Sequence, residues 1–290
     1  MIPEPFEYHT PKNIEEASRL LSQFGGEGKL LAGGHSLLPM MKLRLAAPKH
    51  LIDLRRLTDL RYIRETSGKI EIGALATHFQ IESSELVRSK CPLLSETGRE
   101  IGDVQVRNRG TIGGSLAHSD PAADWPAAIL ALDAEIQARS AGSARWIPAT
   151  QFFVDLLSTA LKEDEILASV RIPAAPARNG HAYLKLHHPA SGYAMVGVAV
   201  SMTLNDAGHV EQVGVGVTGV GPKAYRATAV EEALRGKAPS ANALTAACEH
   251  GADGIEVNSD LYASVEYRSH LAKVYTRRAL EKALERARAN

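Results

Sequence analysis

A chain of 290 residues is long enough for two domains at roughly 100 to 200 residues each, and 44% hydrophobic with 23% charged residues excludes fibrous and wholly disordered classes. Thirty-three basic residues balance thirty-three acidic ones, which removes the positive field that non-specific nucleic-acid binding requires. Residues 186–205 carry no Asp, Glu, Lys or Arg, but His187, His188, Pro189, Ser191 and the glycines among them exclude a membrane span; the opening Met1-Ile2-Pro3-Glu4-Pro5 lacks the basic flank and apolar run of an export signal, so a cytoplasmic protein is expected.

Asn13 can cap a helix in which Ile14, Ala17, Leu20 and Leu21 recur at helical spacing, with Gly25-Gly26 beyond its end. A strand at 29–32 runs into Gly33-Gly34, and Ser36 is an N-cap candidate for a segment through Pro39, Met40, Met41 and Leu43. Strands are expected at 50–54, at 62–63 and, with clean alternation, at 69–73. A helix over 96–101 is broken by glycines at 110–114; an apolar helix over 125–132 leads to strands at 134–137 and 166–172. The run Pro173-Ala174-Ala175-Pro176-Ala177-Arg178-Asn179-Gly180 has the composition of a connector and places a domain boundary there. Beyond it, Val196, Val198, Val200, Met202 and Leu204 alternate up to Asn205-Asp206-Ala207-Gly208, and Val213, Val215 and Val217 alternate again, the pattern of a β-hairpin. Helices follow at 228–235 and 241–250, then a long one through Arg268, Leu271, Val274, Leu280 and Leu284 whose end frays over 286–290.

Several patterns imitate chemistry. Gly214-Val215-Gly216-Val217-Thr218-Gly219 fits a dinucleotide-binding loop, but it lies within the second hairpin strand with valines on one face and glycines on the other, which suits close approach of a helix or another backbone. Gly34-His35-Ser36-Leu37-Leu38 has a leucine where a nucleophile elbow needs glycine. His118-Ser119-Asp120 is contiguous, whereas a working triad converges in space. His187 and His188, adjacent in a strand, point to opposite faces and do not share an ion. Cys91 and Cys248 are too few for an iron-sulfur cluster and read as buried thiols.

Two loops stand out. Ala32-Gly33-Gly34-His35-Ser36-Leu37 follows a strand, and Arg109-Gly110-Thr111-Ile112-Gly113-Gly114-Ser115 precedes an apolar segment; each pairs Gly-Gly with hydroxyl residues. Consecutive glycines permit positive φ and bare the backbone, so N–H groups can converge on an anion, with Ser36, Thr111 and Ser115 as further donors.

These residues, together with Leu38-Pro39, Gln105-Val106-Arg107-Asn108, Asp120-Pro121, Asp124, Asp164-Glu165-Ile166-Leu167, Tyr183-Leu184-Lys185 and the 264–268 stretch, resemble the FAD-binding medium subunit of molybdenum hydroxylases, the carbon monoxide dehydrogenase and xanthine dehydrogenase family. Ser115 stands where that family often has Asn. The resemblance implies an α+β fold: a vanillyl-alcohol-oxidase (PCMH) type FAD-binding domain at 1–176, with α/β subdomains at about 1–55 and 56–176, and a small C-terminal antiparallel sheet with helices at 177–290. It further implies non-covalent FAD, its pyrophosphate cradled by Leu31, Ala32, Gly33, Gly34, His35, Ser36 and Leu37 and by Thr111, Ile112, Gly113, Gly114 and Ser115. Asp124 is expected on the flavin side, Ile166 or Leu167 packed on the isoalloxazine, Lys185 donating to its polar edge and Tyr193 near its face.

By the same resemblance, Mo-molybdopterin and [2Fe-2S] clusters belong to a large and a small partner subunit, in a heterotrimer expected to dimerise. The chain then passes electrons from the clusters to an external acceptor and breaks no bond of the primary substrate. The glycine-faced hairpin is expected to suit packing in that assembly. The rival readings are a self-contained flavin oxidase and a non-enzymatic flavin-binding module.

Overall fold

The computed structural model describes residues 2–176 and 178–290. The domain boundary expected after 176 falls on Ala177, outside the described residues.

Three short strands, β1 (Glu7–His9), β2 (Gly28–Leu31) and β3 (His50–Asp53), form a parallel sheet in the order β1-β3-β2. Helix α1 (Ile14–Phe24) joins the first two, and Asn13 closes its N-terminus as expected by accepting from the Glu16 N–H at 2.8 Å. A short α2 (Leu37–Lys42) lies between β2 and β3. The apolar face of α1 packs with Ile52, Leu54, Leu57 and Leu60; Leu75, in the turn after β5, and Ile166 and Ala168 from the next sheet complete that cluster, so the two subdomains share a core.

The second sheet is antiparallel, in the order β4-β5-β10-β6-β7. Its strands are β4 (Ile63–Thr66), β5 (Lys69–Gly73), β6 (Glu135–Arg139), β7 (Ala144–Pro148) and β10 (Ile166–Pro173). Between β5 and β6 run α3 (His78–Ser83), α4 (Glu85–Lys90), α5 (Pro92–Arg99), α6 (Val104–Arg109), α7 (Ile112–His118) and α8 (Asp124–Ala131). The helix α9 (Ala149–Phe152) and the small pair β8 (Phe153–Asp155) and β9 (Ser158–Thr159) precede β10. The alternation of Ile70 and Ile72, and of Ile136 and Ala138, turns these side chains onto a core that also holds the fully buried Trp125 of α8.

The last sheet runs β11 (Asn179–His187), β12 (Ala194–Leu204), β13 (Val210–Thr218) and β14 (Tyr225–Arg226), antiparallel in chain order. The valines of β12 and β13 face α10 (Thr228–Leu234), α11 (Ala241–Cys248) and the 25-residue α12 (Val265–Ala289). The connector is shorter than its composition predicts, because Asn179 and Gly180 already belong to β11. At Gly180 a Cβ would stand 1.8 Å from the Ala283 carbonyl oxygen of α12, so this glycine is set by helix contact and not by a need for flexibility.

The glycine face of β13 also finds its partner. A Cβ at Gly214 would lie 2.1 Å from the Ala131 carbonyl oxygen and one at Gly216 2.0 Å from that of Ala127, both on α8. The close approach expected from the pattern is present, and it corrects the expectation that this face serves assembly with other chains: the chain's own α8 covers it. The fold is therefore α+β, two α/β subdomains joined to a C-terminal antiparallel sheet with helices. No helix among the described residues is long and apolar enough to cross a membrane.

Candidate functional site

The first glycine loop leaves the end of β2 and enters α2. Gly34 has φ +81°, a left-handed conformation that favours glycine, and a Cβ on Gly33 would be 2.2 Å from the Arg109 carbonyl oxygen. The two loops thus touch backbone to backbone. Helix α2 begins with Leu38 N–H donating to Gly34 O (3.0 Å) and Met40 N–H to Ser36 O (3.2 Å), while the N–H groups of Gly33, Gly34, His35, Ser36 and Leu37 have no partner among the described residues. Ser36 occupies the cap position with φ −101° and ψ −52°, but its hydroxyl makes no capping hydrogen bond. Those helical angles turn the side chain away from the first-turn N–H groups, which corrects the capping role expected of it. Leu37 and Leu31 anchor the loop by packing with Met41 and Leu51.

The second loop is built differently. Thr111 caps α7, its Oγ1 accepting from Gly114 N–H at 3.1 Å. Ile112 N–H donates to Ala76 O (3.1 Å), Gly113 N–H to Ala74 O (2.9 Å) and Ser115 N–H to Thr111 O (3.0 Å). Its backbone donors are therefore engaged within the fold. Gly113 is required by Ala74, whose Cβ would be 2.5 Å from an added Cβ; Gly114 looks onto Ala32. Behind the loop, the His78 N–H donates to Gly110 O at 3.0 Å and its ring Nδ1 accepts from Trp125 Nε1 at 2.9 Å. Burial pushes the His78 imidazole down to about 3, so it is neutral and serves as a fixed acceptor.

A cavity of about 300 Å³ opens where the loops meet, lined by Ala32, Gly33 and Thr111 and by Arg55, Arg61, Asn108 and Arg109. Of these, Arg109 belongs to the second loop motif, while Arg55 and Arg61 were not singled out by the sequence motifs. The Arg55 guanidinium is held by Asp53, with Nε 2.9 Å from Oδ1 and Nη2 2.7 Å from Oδ2. That bidentate pair fixes the arginine at the end of β3 beside the first loop.

A second cavity, about 350 Å³, lies between the domains, with Pro121 and Ala122 on one side and Tyr193, Gly219, Asp260 and Arg268 on the other. Tyr193 is 42% exposed and sits in the loop between β11 and β12, outside the sheet. Arg268 is buried; its Nη1 donates to Met195 O (2.8 Å) and Gly219 O (2.7 Å), it is paired with Asp260, and its Nε has no partner among the described residues. Thr218 Oγ1 clasps the Pro121 and Ala123 carbonyls at 2.7 and 2.8 Å, tying β13 to the loop before α8.

Asp124, first residue of α8, accepts from Tyr183 OH at 2.5 Å and from Lys185 Nζ at 3.0 Å; Lys185 also donates to Glu100 O at 3.0 Å. The Lys185 side chain is 1% exposed and that of Asp124 5%. Burial pushes the Asp124 carboxyl up and the adjacent Lys185 pulls against that shift. These two residues, both expected on the flavin side, pair with each other, and with Tyr183 they stitch α8 to β11. Ile166 and Leu167 begin β10 and are interior residues, 1% and 4% exposed, in two different cores.

The comparisons with known proteins fit this geometry. Residues 4–175 match the family described as FAD binding domain in molybdopterin dehydrogenase, and residues 181–283 match the CO dehydrogenase flavoprotein C-terminal domain. The chain belongs to the FAD-binding medium chains of the molybdenum hydroxylases. This medium chain is 41% identical over 286 residues to the carbon monoxide dehydrogenase medium chain of Hydrogenophaga pseudoflava, covering 99% of both. It superposes with a TM-score of 0.96 and 44% identity, again over 99% of each chain, on carbon monoxide dehydrogenase from that organism lacking the Mo-pyranopterin moiety of its molybdenum cofactor. It is also 37% identical over 276 residues to the nicotine 6-hydroxylase medium subunit of Paenarthrobacter nicotinovorans, covering 95% of this chain and 96% of that one. It is a subunit of an oxidoreductase and carries an FAD-binding domain. One architecture serves relatives named for carbon monoxide and for nicotine, so the medium-chain fold does not by itself set the substrate.

Proposed function

We propose that this chain is the electron-transfer subunit of a molybdenum hydroxylase, taking electrons from [2Fe-2S] clusters on a small partner subunit and passing them to an external acceptor. The carrying observation is the row of open N–H groups that starts at Gly33, on the wall of an arginine-lined cavity, and runs to Leu37, a donor set suited to a dinucleotide diphosphate. Leu31 and Leu37 anchor that row, and Arg55, Arg61 and Arg109 add positive charge beside it. In this reading Thr111, Ile112, Gly113, Gly114 and Ser115 hold the first loop in shape from behind, with the Ser115 and Thr111 side chains at its edge.

The flavin end is assigned to the second cavity, where Tyr193 offers a half-exposed ring and the buried Arg268 guanidinium stands in the wall. Bound FAD supplies reversible acceptance and release of electrons. Asp124, Lys185 and Tyr183 act there as a buried charged strut that orients the residues on either side of the domain junction. Ile166 and Leu167 support the site from within the cores. The domains are taken as 1–176 and 177–290, divided in the first at about 55/56.

Cys91 and Cys248 are both buried free thiols in separate cores, and together they cannot ligate an iron-sulfur cluster. Clusters and Mo-molybdopterin are therefore assigned to partner chains, in a dimer of heterotrimers, and buried free thiols suit a reducing cytoplasm. Co-expression with the large and small subunits tests the proposal. One species with flavin and iron-sulfur absorbance, whose flavin bleaches on adding substrate only when all three chains are present, is the expected result. An isolated chain that turns over an organic substrate by itself contradicts it and favours a self-contained flavin oxidase.

A further inference from the structure

We propose that Glu7, His9 and His50 form a binding site for a divalent transition cation of the zinc class, at the open edge of the parallel sheet. Glu7 and His50 are register partners on β1 and β3, and His9, two residues along β1, returns to the same face. His9 Nε2 and His50 Nδ1 face each other at 3.2 Å; Glu7 Oε2 lies 3.3 Å from His50 Nδ1 and 3.8 Å from His9 Nε2. In a tetrahedral site with bonds of about 2.0–2.1 Å, neighbouring ligand atoms are roughly 3.3–3.4 Å apart, so the three atoms have the dimensions of one face of that tetrahedron.

Hydrogen bonding alone accounts for the cluster less well. A single His50 Nδ1 faces both an imidazole nitrogen and a carboxylate oxygen and can satisfy only one of them with one proton or one lone pair. A cation bridges all three. Two imidazoles and a carboxylate select zinc, nickel, cobalt or copper over calcium or magnesium, which prefer all-oxygen sites.

The surroundings hold the ligands in place. The Phe24 ring stacks on the His50 imidazole with centroids 3.7 Å apart and planes 8° apart, and it also touches His9 at 4.8 Å. Lys49, the sequence neighbour of His50, is paired with Glu27 and does not engage the Glu7 carboxylate. The Glu7 side chain is 73% exposed while those of His9 and His50 are 23% and 18% exposed, so the fourth position opens to water. Asp53, from which Arg55 is held beside the loop cavity, is three residues along β3 from His50, about 10 Å at strand rise. The ion would therefore clamp the three-residue edge strand β1 to β3 and not join the electron path.

Cobalt(II) titration of the chelator-treated, FAD-containing full chain tests this directly. One equivalent is expected to bind with the intense visible bands of tetrahedral coordination and to raise Tm, and zinc should displace it. Affinity should fall in His9→Gln and His50→Gln by more than the roughly 10- to 100-fold that losing a mere neighbour of a ligand costs. Glu7→Gln should weaken binding less, and flavin occupancy should be unchanged in all three. Should a variant fold poorly, diethylpyrocarbonate mapping of the wild-type chain gives the same answer, because zinc should protect His9 and His50 specifically. Absence of stoichiometric binding, binding undiminished in the folded histidine variants, or modification of His9 and His50 unaffected by zinc would overturn the proposal.

Discussion

The two glycine loops look alike in sequence and differ in the state of their backbone donors. In the first, five consecutive N–H groups from Gly33 to Leu37 have no partner among the described residues; in the second, the N–H groups of Ile112, Gly113, Gly114 and Ser115 all have partners inside the fold. The shared Gly-Gly motif has two causes. At Gly34 it is the left-handed φ of +81° and at Gly33 the Arg109 carbonyl, whereas at Gly113 it is room for Ala74. A glycine pair thus marks close backbone approach, and the hydrogen-bond state of its amides is what tells the two loops apart; under the function proposed above, the open row receives the anion and the engaged one braces it.

The largest effect should come from Gly33→Ala. Its Cβ would meet two backbone groups, Arg109 O at 2.2 Å and Gly110 Cα at 2.7 Å, neither of which can rotate away. A loss of about 3 kcal/mol in stability, at the upper end for overpacking, and loss of FAD are expected in denaturant melts and flavin assays. Full flavin occupancy in this variant would break the contrast between the loops.

Next in size is acid. A free histidine titrates near 6.5 and His78 is held near 3 by burial, so as pH falls through 6.5 the unfolded chain binds a proton that the folded chain refuses. Stability contributed by the neutral ring is present above the unfolded value and lost below it, by about 2 kcal/mol between pH 7 and 5. His78→Gln should flatten that slope in urea melts, and an unchanged slope would show that the support behind the second loop does not titrate as described.

Thr111→Val removes the acceptor for Gly114 N–H while keeping the shape of the side chain. It should cost about 1 kcal/mol in stability and leave FAD bound. Gly114→Ala, whose Cβ would be 2.8 Å from Thr111 Oγ1, should act on the same cap. Smallest is Ser36→Ala, because that hydroxyl makes no capping bond: Tm should not move, and FAD affinity should fall by no more than about 1 kcal/mol, roughly fivefold. A large loss of stability in Ser36→Ala would restore the capping role that its position suggests.

What could be read from the chain was whatever is local. The Asn13 cap, the alternation at 69–73 and the valine hairpin with its glycine face each carry their geometry within a few residues, and the structure follows them. The short helices α3, α4 and α6, six residues each, end before a helical period is established, and they were not resolved from sequence. Strand β11 was masked at its start by Asn179 and Gly180, whose turn-like composition reflects contact with α12.

For the site, the two loops were legible because each is contiguous. The cation-lined rim was not, since Arg55, Arg61 and Arg109 converge only when β3 and the second loop fold beside the first. Asp124 and Lys185, 61 positions apart, were each expected on the flavin side; that they also pair with each other in a buried place is not legible in the chain. Arg268, quoted only as part of a late stretch, reaches the second cavity from α12, and no local pattern announces that.

Amide hydrogen exchange, read residue by residue in the FAD-free and FAD-bound chain, separates the two loops most directly. Fast exchange at Gly33, Gly34, His35, Ser36 and Leu37 that slows on adding FAD, with Ile112, Gly113, Gly114 and Ser115 protected in both states, is the expected result. Protection that appears at 112–115 on FAD binding while 33–37 stays unchanged would contradict the assignment of the phosphate cradle to the first loop.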